Sequence, residues 1–452
     1  MMTRKTRLAI NGLLVLLFSA APAGVLAQEY GLDDLYRMAL GTAEKIRISE
    51  ENIAIAEAGK SKALSYLLPR VTTYASVTDF TEAKYSPPGT IPVPGGSMTM
   101  PGSLIQPHAA GSWGVRLDES LSLGGREFTL LALSKENLEK SRLDADAMKE
   151  DYLLAVAVAY YQVLKTEKSL DIADANVARL TAYRAAADKR LRVGEVTRTV
   201  LLRAEAELSG ALSDQMFAKN SSELAMTQLK RVVGARDDFR LRKEPPARFD
   251  ILPIDNYLTA ALTERSDLKG LDIQKKLAAR QVRYASGAHW PSLSISGVYS
   301  GLDQSPASLT INRESIYAGA AIHFPIFEGG LRAAEVKEAR SKEKQSGFLY
   351  EDLKKTIEIE VRAAYLDLMT QNATLKFLDD QLVYAGENYQ AVARQFEFGL
   401  THSIDVMDAN TLLVSAERRA SEAAYNYQIA SMRMKKATGV LLREILAKNG
   451  MH

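Results

Sequence analysis

The amino-acid sequence predicts a mainly α-helical, internally duplicated chain with four β-strands, two in each half, suited to the wall of a shared barrel. Three observations carry that prediction. Proline is absent from 108–244 and again after 325. Proline costs about 3 kcal/mol inside a helix, so both stretches can hold long helices. Glycines recur in register: Gly114/Gly319, Gly124/Gly329, Gly125/Gly330, Gly194/Gly399 and Gly234/Gly439 all lie 205 positions apart. Finally, four short segments alternate apolar and polar residues, as strands do when one face is greasy and the other wet.

The chain starts with a segment that reads as an export signal. Arg4, Lys5 and Arg7 are followed by the apolar run 8–20, and Val25-Leu26-Ala27 supplies the small-residue cleavage pattern. The mature protein is expected to begin at Gln28. There is no cysteine, which rules out disulfide staples and a lipid-bearing N-terminal Cys. A net charge of +2 over 452 residues points to no strongly charged partner such as nucleic acid. The most apolar run of the mature chain, 152–164, is interrupted by Gln162 and is too short to span a bilayer as a helix. Any membrane crossing must therefore use strands.

The first half, 28–234, opens with a helical pattern over 33–66. After Pro69 a strand places Val71, Thr73, Ala75 and Val77 on one face and Thr72, Tyr74, Ser76 and Thr78 on the other. The Pro- and Gly-rich stretch "SPPGTIPVPGGSMTMPG" follows, a sequence no packed core would hold. A returning strand sets Trp113, Val115, Leu117 and Leu121 against Ser112, Arg116, Asp118 and Ser122. Gly124 and Gly125 then open a helical run at 126–192, rich in Ala, Leu, Glu and Lys. At about 1.5 Å per residue such a run reaches roughly 100 Å, the length of a coiled-coil-like rod. Gly194 reverses the chain into a second helix over 197–232, closed by Gly234.

After a linker at 235–256, the second half, 257–452, repeats the order: helix 257–287, Pro291, two strands, Gly329-Gly330, rod 331–397, Gly399, helix 404–437, Gly439. Its strand faces show Leu293, Ile295, Gly297 and Tyr299, then Ile316, Ala318, Ala320, Ile322 and Ile326. Upstream of the Gly-Gly pairs the repeat offset is 222 instead, as in Ala39/Ala261, Leu40/Leu262 and Pro69/Pro291. The difference is accommodated by the enlarged first loop, so the chain is a tandem duplication with one insertion.

Four strands cannot close a barrel, and open sheet edges are not tolerated in lipid; three copies would supply twelve. At this point the residues resemble the TolC-like outer-membrane efflux proteins. The resemblance covers essentially all of the mature chain. It rests on "LLPRV" and "HWPSL" at the strand starts, "FEGG" at the strand exit, "VGEVT" and "FGLTHSIDVMDA" at the turns, and the terminal "ATG". It implies a homotrimer: a 12-stranded β-barrel in the outer membrane continued by a long α-helical periplasmic tunnel. The implied role is passive exit duct of a tripartite pump or type I secretion system. The implied partners are a periplasmic adaptor, an inner-membrane RND, ABC or MFS transporter, and outer-membrane lipid. A periplasmic coiled-coil scaffold or adhesin-like protein without a pore is the competing expectation.

The resemblance also points to site residues. Asp405 and Asp408 match the family's entrance aspartates, and their i, i+3 spacing puts them on one helix face. They are expected to ring the periplasmic mouth, although acidic residues in a first helical turn also complement the helix dipole. Arg198 and Arg203 occupy the same level in the first half. The family's closing contacts are not reproduced: the matching positions read Thr401, Phe396, Thr199 and Val200, of which only Thr199 agrees. Gly194, Gly399, Thr197 and Thr401 mark the tip turns where an adaptor would dock. Pro69, Gly124, Gly125, Pro291, Gly329 and Gly330 mark barrel-to-tunnel joints, and Trp113 and Tyr299 suit an aromatic girdle. No catalytic, phosphate-binding or metal motif is present in the sequence, and the five histidines are scattered; no enzyme activity or cofactor is expected.

Overall fold

The computed structural model describes residues 29–242, 249–307 and 312–450; the signal segment lies outside them. A short strand β1 (Glu29–Tyr30) leads into α1 (Leu32–Thr42) and α2 (Glu44–Ser65). Then come β2 (Arg70–Asp79), β3 (Lys84–Tyr85), β4 (Gly89–Val93), β5 (Gly96–Met100), β6 (Leu104–Gln106) and β7 (Ala109–Ser122). The rod α3 (Arg126–Arg192) and α4 (Arg198–Val233) complete the first half, followed by β8 (Arg240–Leu241). The second half contains α5 (Ile254–Glu264), α6 (Ser266–Gly287), β9 (Ser292–Ser305), β10 (Glu314–His323), the rod α7 (Leu331–Glu397), α8 (Ser403–Ala437) and α9 (Leu441–Asn449).

Both rods are single helices of 67 residues, bounded as the sequence predicts. The first helix of each half differs from expectation. A continuous helix was expected over 33–66 and over 257–287, but each is interrupted at one extended residue, Ala43 (ψ 126°) and Arg265 (ψ 124°). Neither residue is a helix breaker; tertiary packing imposes the bend. At both breaks the chain closes on the glycine that ends the partner helix: a Cβ on Gly234 would strike Thr42, and one on Gly439 would lie 2.8 Å from Arg265 Cα. Thr42 Oγ1 donates to the Val233 carbonyl (2.8 Å). The Arg265 guanidinium donates to Asp267, to Glu360 (2.6 Å) and to the Ala437 carbonyl.

The cores repeat with the halves. In the first, Ala39, Val156, Val163 and Leu229 are buried with Phe239 and Leu241 of the linker and Leu441 of α9. In the second, Ala261, Val361, Leu368 and Met434 hold the corresponding places. A third cluster near the far end of the rods joins Leu180, Tyr183 and Ala187 to Phe396, Val406 and Met407. Here the two helical hairpins meet. Among the described residues, no helix is long and apolar enough to cross a membrane.

The four long strands form one antiparallel sheet in the order β10-β9-β7-β2. Its register aligns the apolar residues across all four: Val71 faces Leu117, which faces Gly297, which faces Ala318. One row further along, Thr73, Val115, Tyr299 and Ile316 align in the same way. The opposite face is polar, with Ser76 bonded to Ser112 (2.7 Å) and Ser300 to Ser315 (2.8 Å). The insertion after β2, expected only as an irregular loop, is a projecting arm in which β3 pairs with β6 and β4 with β5. The last strand stops at His323, short of Ile326, which the alternation had included.

Candidate functional site: the helical tip and the strand face

At the tip, each rod reverses through a left-handed glycine, Gly194 at φ 78° and Gly399 at φ 74°, a conformation that costs residues with a Cβ about 1–2 kcal/mol. The two turns use the same pair of bonds. Gly194 N–H donates to Leu191 and Glu195 N–H to Arg190; Gly399 N–H donates to Phe396 and Leu400 N–H to Gln395. These satisfy carbonyls left over at the helix ends. Thr197 precedes α4, and its hydroxyl bonds that of Thr199 at 2.6 Å.

The second turn carries a more developed cap. Thr401 Oγ1 and the His402 N–H both donate to Asp405 Oδ2, at 2.6 and 2.9 Å. Those bonds hold the Asp405 carboxyl below the usual aspartate range, Thr401 first and His402 second. Asp405 thus begins the helix as a capping-box residue. Asp408, one turn on, is exposed, as are Arg198 and Arg203 in the other hairpin. Among the described residues, no ion pair within the chain joins these two arginines to the aspartates.

What ties one hairpin to the other is a set of residues the sequence did not single out. The Arg190 guanidinium lies 4.7 Å from the centre of the Phe396 ring and pairs with Glu195 at 3.1 Å, while Tyr183 contacts the same ring. Further along, Arg179 of α3 grips Glu417 of α8 through two bonds (3.2 and 3.0 Å) and donates to Asn410 at 3.1 Å. Asn410 is buried and donates in turn to Asn176. Burying these polar groups is tolerable because each finds a partner. These contacts have no counterpart in the repeat register, so the duplication gives no hint of them. Phe396 was noted only as a mismatch to the family's closing contacts; its ring is the platform on which Arg190 and Tyr183 rest.

The strand face has its own chemistry. Val71, Val77, Ile316 and Ile322 are at least 63% exposed, a stripe that water alone does not favour. Trp113 and Tyr299 meet edge to face at 5.5 Å. The Trp113 indole covers Gly301, and Tyr74 covers Gly114 on the polar face, so rings fill the places where side chains are missing. At the joints, Leu123 N–H donates to the Pro291 carbonyl at 2.9 Å. Gly124 packs on Gly287, leaving no room for a Cβ. Gly125 and Gly330 precede the rods at φ 67° and 85°, and Gly329 is left-handed as well.

The outer membrane efflux protein family matches residues 35–235 and 257–440, both halves of the duplication. The chain belongs to that family. Outer membrane protein TolC of Vibrio cholerae is 24% identical over 336 residues, covering 68% of this chain and 73% of its own length. The alkaline protease secretion protein AprF of Pseudomonas aeruginosa is 23% identical, covering 65% of this chain and 63% of its own. In fold, the CmeC outer membrane channel of Campylobacter jejuni superposes with a TM-score of 0.78 at 18% identity, over 91% of this chain and 86% of that one. The efflux family member described here is accordingly an outer-membrane exit channel, its strands in the bilayer and its helices forming the tunnel wall.

Proposed function

We propose that three copies of this chain share one twelve-stranded barrel and act as the passive exit duct of a tripartite efflux pump or type I secretion system. The observation that carries this is the open sheet: four strands with an apolar face and two unpaired edges, β2 and β10. Unpaired edges are not viable in hydrocarbon, whereas a scaffold without a pore has no use for an apolar outward face. The tip turns around Gly194, Thr197, Gly399 and Thr401 receive a periplasmic adaptor. Energy comes from an inner-membrane RND, ABC or MFS transporter coupled through that adaptor.

At the entrance, Asp408 points its free carboxylate to solvent while Asp405 shapes the helix start beside it. Repeated around a threefold axis, these carboxylates form a cation-attracting ring, with Arg198 and Arg203 of neighbouring hairpins as counter-charges that hold the mouth narrow. The test is single-channel recording in planar bilayers with multivalent cations. The parent protein is expected to conduct and to be blocked from the helical side, and the Asp405→Asn/Asp408→Asn double variant to lose the block. Unchanged block would discard the ring, and absence of conductance in the parent would discard the duct.

A further inference from the structure

Below the joints, α2, α3, α6 and α7 lie side by side in that order. A cavity of about 720 Å³ is lined by residues of all four helices. Helices in a single row can share a cavity only on their concave side, which faces the axis once the row is continued into a ring. Neighbouring copies then meet the outer flanks of α2 and α7, and the cavity opens to the lumen. The two halves of the duplication differ here. Gly59 and Gln281 are repeat partners, as are Asn137 and Lys342, and all four line the cavity. A Cβ on Gly59 would meet nothing within 4 Å, so there is open space where the first half carries glycine and the second glutamine.

The lining is amphipathic and its charge has one sign. Leu130, Leu133, Leu277 and Leu349 supply apolar surface, with Tyr66 at the barrel end. Asn137, Gln274, Gln281 and Gln345 add four amides that hold no side-chain hydrogen bond among the described residues. The charged groups are Lys62 and Lys342, and no carboxylate lines the cavity. Lys62 has no ion pair among the described residues. Lys342 pairs with Glu338 one turn away, both side chains being exposed, a contact worth little in water. Acids next to the lining residues are engaged elsewhere, Glu57 with Arg142 and Glu136 with Arg280.

We propose that this cavity is a luminal resting site for an amphipathic anion, a molecule with an apolar body and one anionic head group; the placement in a lumen rests on the shared-barrel reading above. The leucines take the body, and Lys62 and Lys342 take the head group, with the amides as further donors. A cation of the same shape would meet two ammonium groups and no carboxylate. The site therefore has the opposite preference to the aspartates at the far end of the tunnel, and a trimer holds it three times.

The absence of cysteine makes the cavity directly readable. In lipid nanodiscs, a Gly59→Cys variant carries a single thiol in the cavity, and a Ser61→Cys variant carries it on the opposite side of α2. Submicellar decanesulfonate is expected to slow maleimide labelling of Gly59→Cys several-fold, and decyltrimethylammonium to leave it unchanged. Ser61→Cys is expected to be protected by neither. With Lys62→Gln/Lys342→Gln added, the same protection should need roughly tenfold more decanesulfonate. Equal protection by both amphiphiles, protection indifferent to the lysines, no protection, or a Gly59→Cys thiol that fails to label where Ser61→Cys labels would each overturn the site. Conductance of the parent in planar bilayers separates the two readings. A conducting parent whose thiol variant is not protected overturns the site alone; a parent without conductance overturns the lumen in which the site is placed.

Discussion

Glu150 offers a test of the packing where the rods meet the bent helices. It lies in α3, 6% exposed, facing the Leu442 backbone N–H, Lys436, Arg265 and Asp267. Burial pushes its carboxyl from the ordinary 4.5 up to about 7, with the Leu442 bond and the two cations opposing the rise. The native chain therefore keeps a proton that the unfolded chain releases near pH 4.5, and stability falls as pH rises between 4.5 and about 7. The shift corresponds to a loss on the order of 3 kcal/mol, complete above the folded value. Glu150→Gln imitates the protonated form and does not titrate. Thermal or urea unfolding of both proteins in detergent should give nearly equal midpoints at pH 4.5, with the variant increasingly more stable up to pH 8. A difference independent of pH, or a variant less stable than the parent at pH 8, would refute the assignment of burial as the cause.

Three further outcomes are expected. Arg265→Ala, measured by urea unfolding, should cost roughly 2–3 kcal/mol, because the fork to Asp267, Glu360 and the Ala437 carbonyl is lost while both carboxylates still reach water. Gly439→Ala and Gly125→Ala share a left-handed φ, but only the first would meet backbone, at 2.8 Å. Gly125→Ala should lose about 1–2 kcal/mol in the same assay and Gly439→Ala clearly more. Asp405→Asn should speed amide hydrogen exchange at the start of α8 at neutral pH. Because the Asp405 carboxyl is held below its ordinary value, the parent's protection is present above that value and lost as pH falls through the folded one. The variant's exchange, corrected for intrinsic rates, should lack that step.

The long elements were legible because their signals are one-dimensional. A 67-residue rod needs only an absence of proline and a sustained apolar period, and the alternation of 71–78 fixed which face of the sheet is greasy. The bends at Ala43 and Arg265 were not legible, since alanine and arginine both favour helix and the cause lies in Gly234, Gly439 and the groups around them. The contact between Arg179, Asn410 and Glu417 breaks the repeat register, so nothing in the duplication points to it. The sequence placed Asp405 in the first turn of its helix, where it lies; which proton donors occupy it depends on the turn geometry around Thr401 and His402.

The insertion between β3 and β6 has a consequence for whatever meets the channel from outside the cell. The two halves of each chain are equivalent along the tunnel wall, but only the first carries the β4–β5 arm, whose residues are all exposed. Viewed from outside, the mouth would be crenellated, with tall and low sectors alternating. The arm stands apart from the four-stranded sheet. It is also where a peptide tag could be threaded at Gly95-Gly96 without disturbing any strand of the barrel.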